Sequence, residues 1–194
     1  MGKKYELTAD TKIHAGTTLH RIRALKSFGP IAAGELGGYI ERETNLAQDG
    51  NAWVCGDARV YGNARVCGDA WVYGNAQVNG NAWVYGDARV YGDAWVYGDA
   101  QVHGDARVYG NAQVSGNAQV YGGKHIKTVA MASRSDGWTF AAYMAPELRI
   151  TAGCRNFSWA QAVAHWGGPQ HYMHAESMLI INYLKAKVEQ DNAN

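Results

Sequence analysis

The chain has 194 residues, with 18 Lys and Arg against 17 Asp and Glu and a net charge of +1. That balance excludes a general nucleic-acid binder, which needs a basic excess or stripe. No stretch approaches the roughly eighteen consecutive apolar residues of a membrane span, and Met1-Gly2-Lys3-Lys4-Tyr5-Glu6 holds no apolar signal core, so no membrane partner is expected.

Residues 1–49 read as an entry segment. Thr18-Leu-His-Arg-Ile-Arg-Ala-Leu has the composition of a strand, and Gly29-Pro30 marks a turn. Gly34, Gly37 and Gly38 mark a loop before Tyr39-Ile40. Ile40 and Leu46 fall in the alanine register of the repeats that follow, which predicts an irregular first coil that caps them. A cap is needed because the open end of a stack of strands offers unpaired edges.

Residues 50–122 repeat with a strict period of six. Twelve valines run from Val54 to Val120, each preceded at two residues by an alanine (Ala52 through Ala118). Before each alanine stands an Asn or Asp, and before that a glycine (Gly50 through Gly116). Residues two apart in an extended segment point to one side, so Ala and Val share an inner face. Gly-Asn and Gly-Asp supply a corner that accepts positive φ. Apolar residues at this spacing would drift around a helix, and the recurring glycine would weaken it. Each hexad is therefore a short strand and a corner, and the segment is a solenoid.

Residues 123–194 change character. His125 to Ser133, Trp138 to Met144 and Leu148 to Ala152 read as three strands, separated by Asp136-Gly137 and Pro146. Phe157-Ser158-Trp-Ala-Gln161 has the pattern of a staple and capping box that opens a helix to about Trp166. Gly167-Gly168-Pro169 stops it. A second helix is predicted from about His174 to Val188, with Ile180, Ile181, Leu184 and Val188 as its buried stripe. His165, His171 and His174 have no metal-module spacing, and neither do Cys55, Cys67 and Cys154. The odd cysteine count fits a reducing, cytoplasmic setting. No metal and no cofactor are expected.

The run Ala-x-Val-x-Gly-Asn/Asp resembles the hexapeptide repeat of left-handed parallel β-helices, in which three hexads make one triangular coil. The resemblance implies a mainly β fold: about four regular coils and an irregular N-terminal coil, with a small C-terminal α+β domain. It also implies a homotrimer. Twelve hexads would stack to about 19 Å. The outer segments, with Leu19-His-Arg-Ile-Arg-Ala-Leu-Lys-Ser-Phe, Gly37-Gly38-Tyr39-Ile40-Glu41 and Gly153-Cys154, resemble uncharacterised hexapeptide-repeat proteins of phages and prophages. That likeness implies a phage accessory protein and carries no catalytic residue.

In such a coil, residues 18 apart form columns on three outer faces. The first face carries Trp53, Trp71, Arg89 and Arg107, with Cys55, Tyr73, Tyr91 and Tyr109 beside them. The second carries Arg59, Gln77, Trp95 and Gln113, and the third Arg65, Trp83, Gln101 and Gln119. Stacked aromatic rings on an outer face mark an interface or a ligand surface. The candidate site is thus Trp53, Trp71, Tyr73, Arg89, Tyr91, Arg107 and Tyr109. It serves either contact between subunits or capture of a nucleotide-like ligand, with rings on a base and Arg on phosphate.

The solenoid's enzymatic relatives are acyltransferases, which use a histidine base and a loop inserted between coils. The twelve hexads hold one histidine, His103, and no insertion, so His103 is a weak catalytic candidate. The expected function is a non-catalytic phage-type binding protein, a trimer that holds a nucleotide-like ligand or a host protein and so counters host defence. The alternatives are a hexapeptide-repeat acyltransferase and a structural phage accessory protein.

Overall fold

The structure, a computed structural model, describes residues 2–121, 125–126, 129–144, 147–152 and 155–192. Pro146 and Cys154 lie outside the described residues. Each hexad forms one two-residue strand, from β4 (Trp53–Val54) to β15 (Gln119–Val120). Strands 18 residues apart pair in parallel, so that Arg89 lies between Trp71 and Arg107, and Val90 between Val72 and Val108. The result is a parallel β-solenoid of three sheets and about five turns, as the hexapeptide-repeat resemblance implies.

The corners work as the hexad chemistry requires. Every glycine from Gly50 to Gly116 in the repeat register has φ between +60° and +73°. Between them, Ala52 to Ala112 and Val54 to Val108 are fully buried apart from Val66 at 1%. Backbone bonds such as Tyr73 N–H to Val90 O and Tyr91 N–H to Val108 O, both 2.9 Å, hold the coils at a fixed spacing. All three corners add side-chain bonds: Asn51 donates to Asp69, Asn63 to Asn81 and Asn81 to Asp99, and Asn75 to Asp93.

The N-terminal segment caps the stack, but not in the predicted register. Tyr39 pairs with Arg59, Ile40 with Val60, and Leu46 bridges Val66. Ile40 and Leu46 therefore occupy the valine position, not the alanine position. Eight residues separate Leu46 from Val54 where the repeat has six, and this longer corner shifts the register. Gly37 and Gly38 lie inside β3 (Leu36–Ile40) rather than in a loop. A Cβ on Gly37 would sit 2.7 Å from the Trp53 ring and 2.5 Å from Ile22, so the strand crosses that ring only as glycine.

Two strands precede it: β1 (Tyr5–His14), which the sequence reading missed, and β2 (Thr17–Ala24), which it found. They form a hairpin whose turn, Ala15-Gly16, has φ of 48° and 77°, as a primed turn requires. The tip folds against the second face. His14 bonds Gln77 at 2.9 Å and meets the Tyr61 ring edge-on, and Lys12 pairs with Asp57. At the top, buried Lys4 donates to the carbonyls of Asp49 (3.1 Å) and Ala52 (2.9 Å), which no higher coil can satisfy. Its ammonium is pushed down to about 8, first by burial.

The C-terminal unit is an antiparallel sheet, β17 (Val129–Ser133), β18 (Thr139–Met144), β19 (Leu148–Ala152) and β20 (Arg155–Ser158), covered by two helices. Strand β16 (His125–Ile126) does not join this sheet. It stacks in parallel on Arg107–Val108 and extends the first face, because Ile126 keeps the six-residue spacing from Val120. Strand β20 was missed, since its residues were read only as the lead-in to a helix. Ser158 caps α1 (Trp159–Trp166), and Gln161 reciprocates, completing the predicted capping box. In α2 (His174–Asn192), Ile180, Ile181, Leu184 and Val188 are all buried, with Phe140, Ile150 and Trp166. Buried Arg134 pairs with Asp136 within the β17–β18 turn and donates to Ser177 of α2 at 3.0 Å, and Tyr172 donates to Asp136 at 2.8 Å. Tyr143, from the same sheet, packs into the solenoid's own core and closes its lower end. No helix among the described residues is long and apolar enough to cross a membrane.

Candidate functional site

The candidate residues of the first face come together as predicted, with one correction. The strands of Trp53, Trp71, Arg89 and Arg107 are successive members of one sheet. Trp53, however, is fully buried beneath the N-terminal segment, between Phe28 (5.3 Å) and Tyr5 (6.3 Å). Its column position is correct, but it plugs the end of the core. Periodicity alone could not show this, because the covering residues lie outside the repeat. Trp71 is half-buried and packs against the core, whereas Arg89 and Arg107 are exposed.

The tyrosines form a closed ladder. Tyr73 and Tyr91 stack at 4.8 Å and 3°, and Tyr91 and Tyr109 at 5.1 Å and 8°. Burial pushes the Tyr73 hydroxyl up and Tyr91 adds to it, while Arg89 and Arg107 pull the other way. Cys55 heads this column, half-buried, its thiol pushed up by burial. Inserting a planar ligand would need a gap of about 7 Å, two van der Waals contacts deep. The backbone bonds fix the coil spacing, so no such gap opens. The ladder offers ring edges and hydroxyls to a partner, not ring faces.

His103 belongs to a second ladder, between Tyr85 (4.8 Å, 8°) and Tyr121 (5.5 Å, 16°). Both faces of its imidazole are covered. Asp69, Asp87 and Asp105 follow the Cys67, Tyr85 and His103 positions, on the corner between the third and first faces. In the C-terminal unit, His165 and His171 lie 6.2 Å apart as ring centroids, His165 against Phe157 and Trp166. Desolvation, with Arg155 and His171 nearby, pushes the His165 imidazole down. No group of three or more His, Cys, Asp or Glu among the described residues is placed to hold a metal.

Comparison with known proteins agrees with this fold. The YdcK beta solenoid repeat matches seven overlapping windows between residues 52 and 122. The repeat region is thus a β-solenoid of the hexapeptide-repeat kind. A relative named Uncharacterized acetyltransferase YdcK, from Escherichia coli (strain K12), is 50% identical over 36 residues. That stretch covers 19% of this chain and 11% of the relative, so this chain spans only a small part of that protein. Thirty-six residues amount to two coils of a repeat whose Gly, Ala, Val and Asn/Asp are demanded by the fold itself.

Proposed function

We propose that this chain is a non-catalytic binding scaffold, a self-associating β-solenoid that presents its remaining surface to a partner. The observation that carries the reading is the closed ladder Tyr73–Tyr91–Tyr109 beside Arg89 and Arg107 on a flat, regular face. A ladder that cannot open suits a flat mating surface, where aromatic and Arg side chains are enriched. It does not suit a slot for a nucleotide base. The first face is therefore the contact between copies, in a trimer. The phage-type resemblance of the outer segments makes a host protein the partner class to screen.

The reading is tested by native mass spectrometry of the purified chain at micromolar concentration. Trimer masses are expected, and Tyr91→Asp should return the protein to monomers by placing a carboxylate in the contact. A monomeric parent protein would overturn it.

The acetyltransferase reading is kept for one observation, the name of the YdcK relative. It requires acetyl transfer from acetyl-coenzyme A that His103→Ala abolishes. Turnover of that kind would replace the scaffold reading. The sandwiched ring of His103 and the uninterrupted coil corners beside it supply no cleft for an acyl donor.

A further inference from the structure

The third face differs from the first in one respect: it carries an exposed tryptophan. Among the solenoid tryptophans, Trp53 is buried, Trp71 packs on the core, and Trp95 is half-buried with its indole N–H donated to Asn79 at 2.9 Å. Trp83 alone is exposed, at 44%. Its ring stands at 90° to Tyr85, which itself stacks on His103 within 8°. The Arg65 guanidinium one coil away lies over this ring, which keeps 44% of its surface exposed.

Polar groups extend its column in register. Arg65 pairs with Trp83 on one side, with its guanidinium 5.8 Å from the ring centroid. Gln101 pairs with Trp83 on the other side, and Gln119 follows. Gln101 accepts a hydrogen bond from the Tyr85 hydroxyl at 3.4 Å, which leaves its amide nitrogen to donate elsewhere. The column is thus a cation, an apolar plate and two amides, one per coil of about 4.8 Å.

We propose that this column, Arg65–Trp83–Gln101–Gln119, is a binding site for a neutral glycan chain lying along the solenoid axis. The C–H face of a pyranose stacks on the exposed part of the indole, and its hydroxyls take amide and guanidinium donors. A pyranose in an extended chain advances by a distance comparable to one coil, so successive sugars meet successive rungs. Charge selects the class. Asp69, Asp87 and Asp105 line the adjoining corner, and these three carboxylates against the single Arg65 of the column disfavour a polyphosphate or an acidic polysaccharide while leaving a neutral chain unaffected. The proposal rests on the scaffold reading in one point, that the first face and not the third joins the copies.

The test is a calorimetric titration of the full chain with cellohexaose, maltohexaose and chitohexaose, and with an oligothymidylate. Binding of at least one neutral hexamer is expected, weakened tenfold or more in Trp83→Ala and severalfold in Gln101→Ala, with the oligomer mass unchanged in both. No binding of any hexamer overturns the glycan proposal and leaves the scaffold reading standing. Preferential binding of the oligothymidylate also overturns it, in favour of single-stranded nucleic acid. Dissociation of the oligomer by Trp83→Ala places the third face in the subunit contact, and both readings then fall.

Discussion

The solenoid and the C-terminal unit solve the problem of making a core in opposite ways. In the solenoid, the buried residues are almost all Ala and Val, each layer repeats the last, and every rung meets only its neighbours. In the C-terminal unit, the core gathers Phe140, Trp166, Ile150, Ile181 and Leu184 from two strands and two helices. Small residues at fixed spacing make a narrow prism in which position in sequence dictates position in space. Large residues from scattered segments make one cooperative cluster in which no position can be read without the others. The solenoid needs help only at its ends, where Trp53, Tyr5 and Phe28 close the top and Tyr143 the bottom.

This contrast is broken most sharply by Phe140→Ala. Phe140 is fully buried and meets Trp166 edge-on at 5.0 Å. Its removal should cost about 4 kcal/mol, the usual range for a buried aromatic. The whole C-terminal unit should respond, because its core is shared by every element. Hydrogen exchange followed by mass spectrometry should show β17–β20 and both helices losing protection together, with the central coils unaffected. Loss of protection in the central coils would show that the two cores are one cooperative unit.

The top cap gives a pH-dependent test at the other end. The Lys4 ammonium is lowered in the folded chain to about 8 from an ordinary 10.5. The unfolded chain therefore holds more protons in that window, and stability should rise as pH climbs through 8 toward 10.5, by about 3 kcal/mol at most. Tyr5, whose buried hydroxyl is pushed well up, first by burial and then by Glu43, acts the other way. Above pH 10 its unfolded form ionises first, and stability should fall. A melting temperature that peaks near pH 10, with the rise abolished in Lys4→Met, is the expected profile. A flat profile between pH 8 and 10 would remove Lys4 from the cap's energetics.

How much of this was legible follows the same divide. The columns of the three faces, from Trp71–Arg89–Arg107 to Trp83–Gln101–Gln119, follow from counting in eighteens, because stacking leaves a coil no other register. The capping box at Ser158 and the stripe of α2 were legible because both are local, spelled out within a turn or two of helix. The burial of Trp53 and the strand character of Gly37-Gly38 were not. Both depend on a segment folding back over the first coil, and nothing within the hexads records what lies above them. The long corner before Val54 misplaced Ile40 and Leu46 for the same reason, since a period carries no information beyond its own edge. At the site, the sequence placed the rings but not their planes. The planes distinguish the closed Tyr73–Tyr91–Tyr109 ladder from exposed Trp83.

The smallest effect is the most diagnostic of the repeat itself. Gly80 sits at a corner with φ +69°, and a Cβ there would lie 2.9 Å from the Gly98 nitrogen and 3.0 Å from its oxygen. Gly80→Ala combines the left-handed cost of about 1–2 kcal/mol with a clash against backbone, so about 2 kcal/mol in total is expected. In a globular core such a change would lower the stability of the whole unit. In a stack where each coil answers only to its neighbours, it should open the ladder locally at the corners of Gly62, Gly80 and Gly98 and leave the distant coils protected. Gly116→Ala is the matched control. It shares the conformation at φ +60° but has nothing within 4 Å of the added Cβ, so it isolates the backbone cost from the clash. If Gly80→Ala and Gly116→Ala cost the same, the contact between stacked corners contributes nothing. A larger loss at Gly80 shows that the corners, as well as the Ala and Val core, set how closely the coils can lie.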